Sequence, residues 1–375
     1  MSKKAKKHVI QKQNSIPLYK QLAEVIRKRI QAGEFVEGGR LPSTKQFSEE
    51  FEVNHLTTRQ ALKLLERESL ISMHAGRGTF VRSAKVRAVQ IGVIVPSLGQ
   101  QMPGEISKGM RRAIKPDENV SFTFIDYHDD VETEKQCLER LKVDRFDGAI
   151  FFPSLDPTTI KLILELLTTG FPIVFLDRAI EGVPCWLVSS DNFEMGASAA
   201  SHLLKAGVKR PACVMTTFSN TIERLQGFRV ALNNQNIALP GERVMMAPVS
   251  GDIEGDLTRK LLALKNPPDG IFYYNDYQAL VGLKVIQQAG LKVPQEIKLI
   301  GCDDIEAAHL AIPTLSSVRQ NFKEVGARAL QMLLEMIRRP LEERFQSRHE
   351  VVDVSFVARE STAKTSRHAG RAKIS

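Results

Sequence analysis

Leu41–Val81 reads LPSTKQFSEEFEVNHLTTRQALKLLERESLISMHAGRGTFV, and its punctuation decides how the first part of the chain folds. Ser43 is followed three residues later by Gln46, the spacing of a capping box. A short helix therefore begins here, with Phe47 and Phe51 on its inner face. Asn54 caps a second helix of about fourteen residues, in which Thr58, Ala61, Leu62 and Leu65 recur at helical spacing and point inward. Leu70–Met73 alternates as a strand, His74–Gly78 turns, and Thr79–Arg82 returns, making a hairpin with a glycine-rich, basic tip. Further out, Pro17 opens an earlier helix. Its residues Leu18, Leu22, Val25, Ile26 and Ile30 share one apolar face through about Ala32, until Gly33 and the Gly38-Gly39 pair break it.

Two short helices joined by a tight turn form a helix-turn-helix, whose second helix can enter a DNA major groove. The start of that helix, Asn54-His55-Leu56-Thr57-Thr58-Arg59, gathers hydrogen-bonding side chains. Arg59 can take guanine bidentately, and Asn54, His55, Thr57 and Thr58 can reach bases or phosphates. Lys45, near the start of the preceding helix, suits a backbone phosphate. Gly76 lets the hairpin tip approach DNA closely, and Arg77 can enter the minor groove. Each of these residues alone could be a solvated helix end or a plain turn; the ordered set is more specific than its parts.

Charge agrees with that reading. The chain of 375 residues has a net charge of +9, spread unevenly. Residues 1–88 hold 18 Lys/Arg against 8 Asp/Glu, residues 363–375 hold four basic residues and no acidic ones, and the stretch between them is left at −5. A basic head on a mildly acidic body points to a polyanion as the head's partner. The start, MSKKAKKH, leads into polar residues rather than an apolar core, and no apolar run approaches the ~18 residues of a membrane helix. A cytoplasmic location without membrane contact is expected. Cys137, Cys185, Cys213 and Cys302 lie far apart with no CxxC, and read as thiols in a reducing compartment rather than a disulfide frame or metal site.

After the segment 83–88, a short linker, the pattern changes. Strand-like runs at Gln90–Val95, Ser121–Asp126, Gly148–Phe152, Ile173–Asp177, Leu187–Ser190, Ala212–Thr216, Arg243–Ala247, Gly270–Tyr274 and Lys298–Cys302 alternate with helical stretches such as Glu132–Leu141 and Met195–Ala206. That alternation predicts parallel sheets covered by helices on both faces, as one large sheet or two smaller ones. Ligands bind such sheets at the carboxyl ends of the strands. Polar residues collect there: Pro96-Ser97, Asp177-Arg178, Asp191-Asn192, Asn275-Asp276 and Asp303-Asp304. Carboxylates, amides and a guanidinium offer a polyhydroxylated ligand many hydrogen bonds, while Phe322 or Tyr277 could stack on its apolar face. Any one such Asp could equally be a helix cap.

Two resemblances sharpen this. Pro17-Leu18-Tyr19, Leu41-Pro42-Ser43, Thr57-Thr58-Arg59-Gln60-Ala61-Leu62 and Gly76-Arg77-Gly78-Thr79-Phe80-Val81 resemble the GntR-family DNA-binding domain over about residues 15–82. That implies a winged helix-turn-helix in which Lys45, Asn54, His55, Thr57, Arg59 and Gly76 face DNA. The chain departs from the family at His55, often Arg, and at Leu56, where a polar residue is common. Ile91–Pro96, Glu223–Phe228, Asn275–Ala279 and Ile300–Asp304 with Leu315–Gln320 resemble the effector domain of LacI/GalR repressors over about residues 89–360. That implies two lobes, crossovers near Ser189–Asn192, Tyr273–Tyr277 and Ser317–Gln320, and a pocket lined by Arg224, Asn275, Asp303 and Phe322, with Ser97, Arg178 and Gln320 as further members. The combination is that of arabinose-repressor-like regulators.

The expected architecture is therefore α/β. A basic tail (1–14) precedes a winged helix-turn-helix (15–82), a linker (83–88), a two-lobed, periplasmic-binding-protein-like domain with parallel sheets (89–362) and a basic tail (363–375). The expected function is a ligand-responsive regulator, a repressor whose hold on a pseudo-palindromic double-stranded operator is controlled by a sugar, acting as a homodimer with no cofactor, metal or catalytic residue. GxGxxG after a first strand, GxxxxGK[ST], HExxH and GxSxG are all missing, which argues against an enzyme. The alternatives are a sugar-binding protein of transport or chemosensory type, and a purine-responsive regulator.

Overall fold

The computed structural model describes residues 17–68, 70–74, 77–81, 88–116, 118–248 and 255–363. Gly76, most of the expected linker, the basic tail 1–14 and all but Ala363 of the basic tail 363–375 lie outside them. The chain divides between Ala88 and Val89 into two compact units.

The first unit begins with α1 (Leu18–Gln31), which ends at Gly33 in a left-handed conformation. It continues through α2 (Thr44–Glu50), α3 (His55–Arg67) and the antiparallel strands β1 (Ile71–His74) and β2 (Gly78–Val81). The sequence punctuation works as read. Ser43 and Gln46 close a reciprocal capping box, and the Asn54 side-chain oxygen accepts from the Leu56 N–H at 2.9 Å. The apolar faces meet in one core of Leu22, Ala23, Ile26, Leu41, Phe47, Ala61, Leu62, Leu65, Ile71 and Val81. Residues 38–41 pair with β2: Gly38 N–H donates to Val81 O, Val81 N–H to Gly39 O, and Leu41 N–H to Thr79 O. The segment before α2 thereby bridges to β2 at Arg40–Phe80, antiparallel, and ties the hairpin to the helices. Gly78 has a φ of +112°, and a Cβ there would run into the Arg40 guanidinium, so glycine is required at this position.

The second unit has two lobes. β3 (Val89–Val95), α4 (Gln101–Ala113), β4 (Val120–Asp126), α5 (Val131–Val143), β5 (Gly148–Phe151), α6 (Pro157–Thr168), β6 (Ile173–Leu176) and β7 (Trp186–Ser190) start lobe 1. The chain then crosses. α7 (Asn192–Lys205), β8 (Pro211–Met215), α8 (Ser219–Asn233), β9 (Val244–Met246), α9 (Asp256–Leu262), β10 (Gly270–Tyr273), α10 (Asp276–Gln288), β11 (Lys298–Cys302), α11 (Glu306–Leu310) and β12 (Ser316–Arg319) build lobe 2. α12 (Phe322–Arg338) and β13 (Arg348–Val352) return to lobe 1, and β14 (Ser355–Val357) ends in lobe 2.

Each lobe holds a six-stranded sheet, ordered β13-β7-β6-β5-β3-β4 and β14-β12-β11-β10-β8-β9; all strands are parallel except β14. Apolar cores fill both faces of each sheet, so short strands such as β5 and β10 are buried along their whole length. The chain crosses between lobes at residues 190–192, 319–322 and 352–355. Two of these match expectation. The crossover expected at Tyr273–Tyr277 is corrected: β10 and α10 both belong to lobe 2, and the third crossing runs from β13 to β14. Those two strands, with β12, are too short and too polar to stand out as buried runs, which is why the crossing escaped notice. Among the described residues no helix is long and apolar enough to cross a membrane.

Candidate functional sites

In the first unit, one face of α3 packs inward and the other is open. Asn54, His55, Leu56, Arg59 and Gln60 are exposed, Thr57 is half-buried, and Lys45 on α2 and Arg77 beside the hairpin turn are exposed. Lys45, His55, Arg59 and Arg77 are thus open to solvent on this unit, as is Asn54, whose side chain also caps α3. Thr58 is a correction. It is fully buried, and its hydroxyl pairs with the Ser48 hydroxyl at 3.0 Å, so it fastens α2 to α3 and has no surface for DNA. Its place on the inward periodicity already contained this answer.

In the second unit a cleft of about 820 Å³ opens between the lobes at the carboxyl ends of both sheets. Six of the seven expected residues line it: Arg178, Arg224, Asn275, Asp303, Gln320 and Phe322. Ser97 does not; its hydroxyl turns back to accept from the Gly99 N–H at 3.2 Å. Tyr277 also lines the cleft, 43% exposed.

Arg224 is held deep in the cleft by how α7 meets α8. A Cβ on Gly196 would overlap the Arg224 carbonyl oxygen, and one on Gly227 would overlap that of Phe193, so only glycines allow this backbone contact. The approach brings Arg224 Nε within 2.8 Å of the Asn192 side-chain oxygen, and its guanidinium also donates to the Tyr274 carbonyl. Asp177 sits 3.9 Å from its far nitrogen, and Asn192 and Asn220 donate to that carboxylate. A buried guanidinium is tolerable only with such partners.

Asp303 accepts from the Gln320 amide at 2.6 Å, and the Gln320 oxygen accepts from Ser190 at 2.6 Å, so a bonded chain links lobe 2 to two crossings. Asp177 and Asp303 have φ of +59° and +104°, a costly backbone for non-glycine residues that clusters at functional sites. Beneath Asp303, Asp276 is fully buried and accepts from Ser317 and the Ile305 N–H. Burial first, then the neighbouring Asp303, pushes the Asp276 carboxyl up to about 8. Burial likewise raises Asp303, against the pull of Arg224.

Arg178 lies between two rings, its guanidinium carbon 4.6 Å from the Phe152 centroid in lobe 1 and 3.5 Å from that of Phe218 in lobe 2. One nitrogen donates to the Pro153 carbonyl, while the buried Nε has no hydrogen-bond partner. Phe152, Phe218 and Asn220 were missed from the sequence. The signal was present: Phe152 directly follows β5, and Thr216–Asn220 follows β8, so both are strand ends like the five recognised. Among the described residues no cluster of His, Cys, Asp and Glu could hold a metal ion, and all four cysteines are free thiols.

Comparison with known proteins agrees with both units. Residues 18–81 match the gntR family of bacterial regulatory proteins, and residues 200–362 match the periplasmic binding protein-like domain. The arabinose metabolism transcriptional repressor of Geobacillus stearothermophilus is 26% identical over 338 residues, 87% of this chain and 93% of that protein. The HTH-type transcriptional repressor PurR of Aliivibrio fischeri is 30% identical over 234 residues, 61% of this chain and 69% of that protein. The fold is shared with the solved transcriptional regulator CelR–cellobiose complex, with a TM-score of 0.63 and 21% identity, covering 83% of this chain and 92% of that one. This chain therefore belongs to the transcription regulators that join a GntR-type DNA-binding head to a periplasmic-binding-protein-like effector domain, and it is a DNA- and ligand-binding regulator rather than an enzyme.

Proposed function

We propose that the chain is a repressor released from, or held on, its operator by a neutral sugar bound between the lobes. The observation that carries this reading is the convergence of Arg178, Arg224, Asn275, Asp303 and Gln320 on one cleft bordered by Phe152, Phe218 and Phe322. Fixed donors and acceptors suit hydroxyl groups, and aromatic rings suit the apolar face of a pyranose or furanose. The cleft carries Asp129, Asp156, Asp177 and Asp303 against two arginines, and Arg224 already faces Asp177. With Arg224 already engaged by Asp177, little unopposed positive charge is left in the cleft for a phosphate or other anion, so an uncharged polyol fits better. The names of two relatives, one of arabinose metabolism and one in complex with cellobiose, support a sugar.

The DNA contacts in this reading come from Lys45, Asn54, His55, Thr57, Arg59 and Arg77, with Gly76 at the hairpin tip. The active species is a homodimer in the cytoplasm, because a two-fold protein reads a two-fold, pseudo-palindromic operator. Ligand closes the lobes, and closure alters operator affinity by the ligand's preference for one lobe arrangement, typically ~1–3 kcal/mol. The test is a thermal-shift screen of the full-length protein against pentoses, hexoses, disaccharides, sugar phosphates and purines, followed by operator binding with and without each hit. A ligand at ~100 times its dissociation constant stabilises by ~2.7 kcal/mol. A shift from an uncharged sugar that also changes operator affinity is expected. A shift confined to purines or to sugar phosphates would overturn the neutral-sugar reading.

A further inference from the structure

Leu56 has no role in the packing of the head. It is 65% exposed on the second residue of α3, and the Asn54 side chain fixes its backbone N–H. Thr58, Ala61, Leu62 and Leu65 take the inward face of the helix. Leu56 belongs to the other face, where Arg59 and Gln60, three and four residues on, are its neighbours along the helix and are exposed. Single exposed leucines are ordinary on protein surfaces. This one is distinguished by its position, at the end of the helix that enters the groove and surrounded in sequence by His55, Thr57 and Arg59.

The floor of the major groove is a pattern of polar donors and acceptors with one apolar feature, the C5-methyl group of thymine. A leucine offers nothing to phosphates and nothing to the polar edges of the other bases. We infer that Leu56 is a specificity-determining residue that packs on a thymine methyl group in the operator. This rests on the assignment of α3 to the major groove. Lys45 and Arg77 would hold the duplex, Arg59 would read a guanine, and Leu56 would add the recognition of a thymine that none of them supplies.

The test uses the full-length protein and an operator selected by it from random duplexes. Each thymine is replaced in turn by deoxyuridine, which lacks only the methyl group, and affinity is read by fluorescence anisotropy at fixed salt. At one thymine, or its symmetry mate, the wild-type protein should bind about fourfold more weakly after replacement, the worth of one buried methyl. Leu56→Ser should bind thymine and deoxyuridine operators equally, Leu56→Met should restore the preference, and Arg59→Ala should weaken binding to both while keeping their ratio. If no thymine position is sensitive, or if the preference persists in Leu56→Ser, Leu56 is not the reader. If Arg59→Ala binds the operator as tightly as wild type, the groove assignment itself falls, and the Leu56 reading with it.

Discussion

Arg59 and Arg224 mark two opposite ways of building a binding site. Arg59 stands exposed on α3, and among the described residues no side chain is hydrogen-bonded to it. Arg224 is 3% exposed, bonded to Asn192 and the Tyr274 carbonyl, and set against Asp177. The head's proposed site is a set of exposed side chains, most of them on α3, laid over a core that would exist without them. The cleft is the meeting point of strand ends scattered from β3 to β12, so its proposed binding groups are also its structural ties. Function and stability should therefore separate cleanly in the head and be entangled in the body.

The sharpest test of that contrast is Arg224→Ala. It takes the cation away from Asp177, which keeps only the Asn192 and Asn220 amides, and removes the guanidinium's bonds to Asn192 and the Tyr274 carbonyl. Breaking a buried charge pair from one side costs ~3–5 kcal/mol. The second unit's unfolding transition should fall by about that amount in denaturant titrations, and ligand binding by calorimetry should disappear. Operator binding should persist while the protein remains folded. Loss of ligand binding with no loss of stability would show that the body, like the head, keeps the two separate.

A second entanglement is set by pH. Asp276 holds its proton to about 8 in the folded protein, whereas in the unfolded chain it releases it near the ordinary carboxyl value of ~3.9. Between those values the unfolded state binds fewer protons, so stability falls as pH rises, by at most ~1.4 kcal/mol per pH unit. Asp303, raised in the same direction, adds to the trend. The body's unfolding midpoint should decline from pH 5 to 8, and Asp276→Asn should flatten part of that decline. His202 and His349, lowered by burial, pull the other way, so the decisive comparison is between the two proteins: parallel midpoint curves for wild type and Asp276→Asn would show that the carboxyl is ionised in the folded state.

How much of each site could be read from the sequence follows from the same difference. The head's elements are set by neighbours three or four residues apart, so Ser43 with Gln46, Asn54, and the Ala61–Leu62–Leu65 face were visible directly. In the body, the alternation of buried strands and helices announced parallel sheets, and strand ends flagged Arg178, Asn275 and Asp303. Local patterns do not record which strand end faces which across two lobes. Phe152 meets Arg178 from its own lobe and Phe218 from the other, an arrangement that exists only after the lobes are built. Ser97 sits at a strand end too, but a short turn captures its hydroxyl before it reaches the cleft. β12, β13 and β14 were invisible because three to five residues with alternating or polar side chains give no buried-strand signature.

Arg59→Ala is the counterpart of Arg224→Ala in the head. Losing a bidentate base contact costs ~1–3 kcal/mol of discrimination. Operator affinity should therefore drop by about tenfold or more, while the unfolding transition and ligand affinity stay where they were. A drop in thermal stability alongside the lost affinity would mean that Arg59 also supports the fold, and the clean separation claimed for the head would be gone.

The smallest expected effect comes from the residue next to it, and it probes the same boundary from the other side. Thr58 and Arg59 are adjacent on α3, yet one is fully buried and the other exposed. Thr58→Val keeps the shape and removes the hydroxyl that pairs with Ser48. Ser48 keeps its bond to the Thr44 carbonyl at 2.7 Å, so no buried donor is orphaned. The cost should lie near ~0.5–1 kcal/mol of head stability, the net worth of one hydrogen bond. Operator affinity, measured well below the melting temperature, should be unchanged within about twofold, since ~0.4 kcal/mol is the most a well-folded neighbour with no groove contact would contribute. A marked loss of affinity from Thr58→Val would mean that the angle between α2 and α3 is itself tuned by the Ser48–Thr58 contact, and that the head entangles fold and function through a single hydroxyl pair.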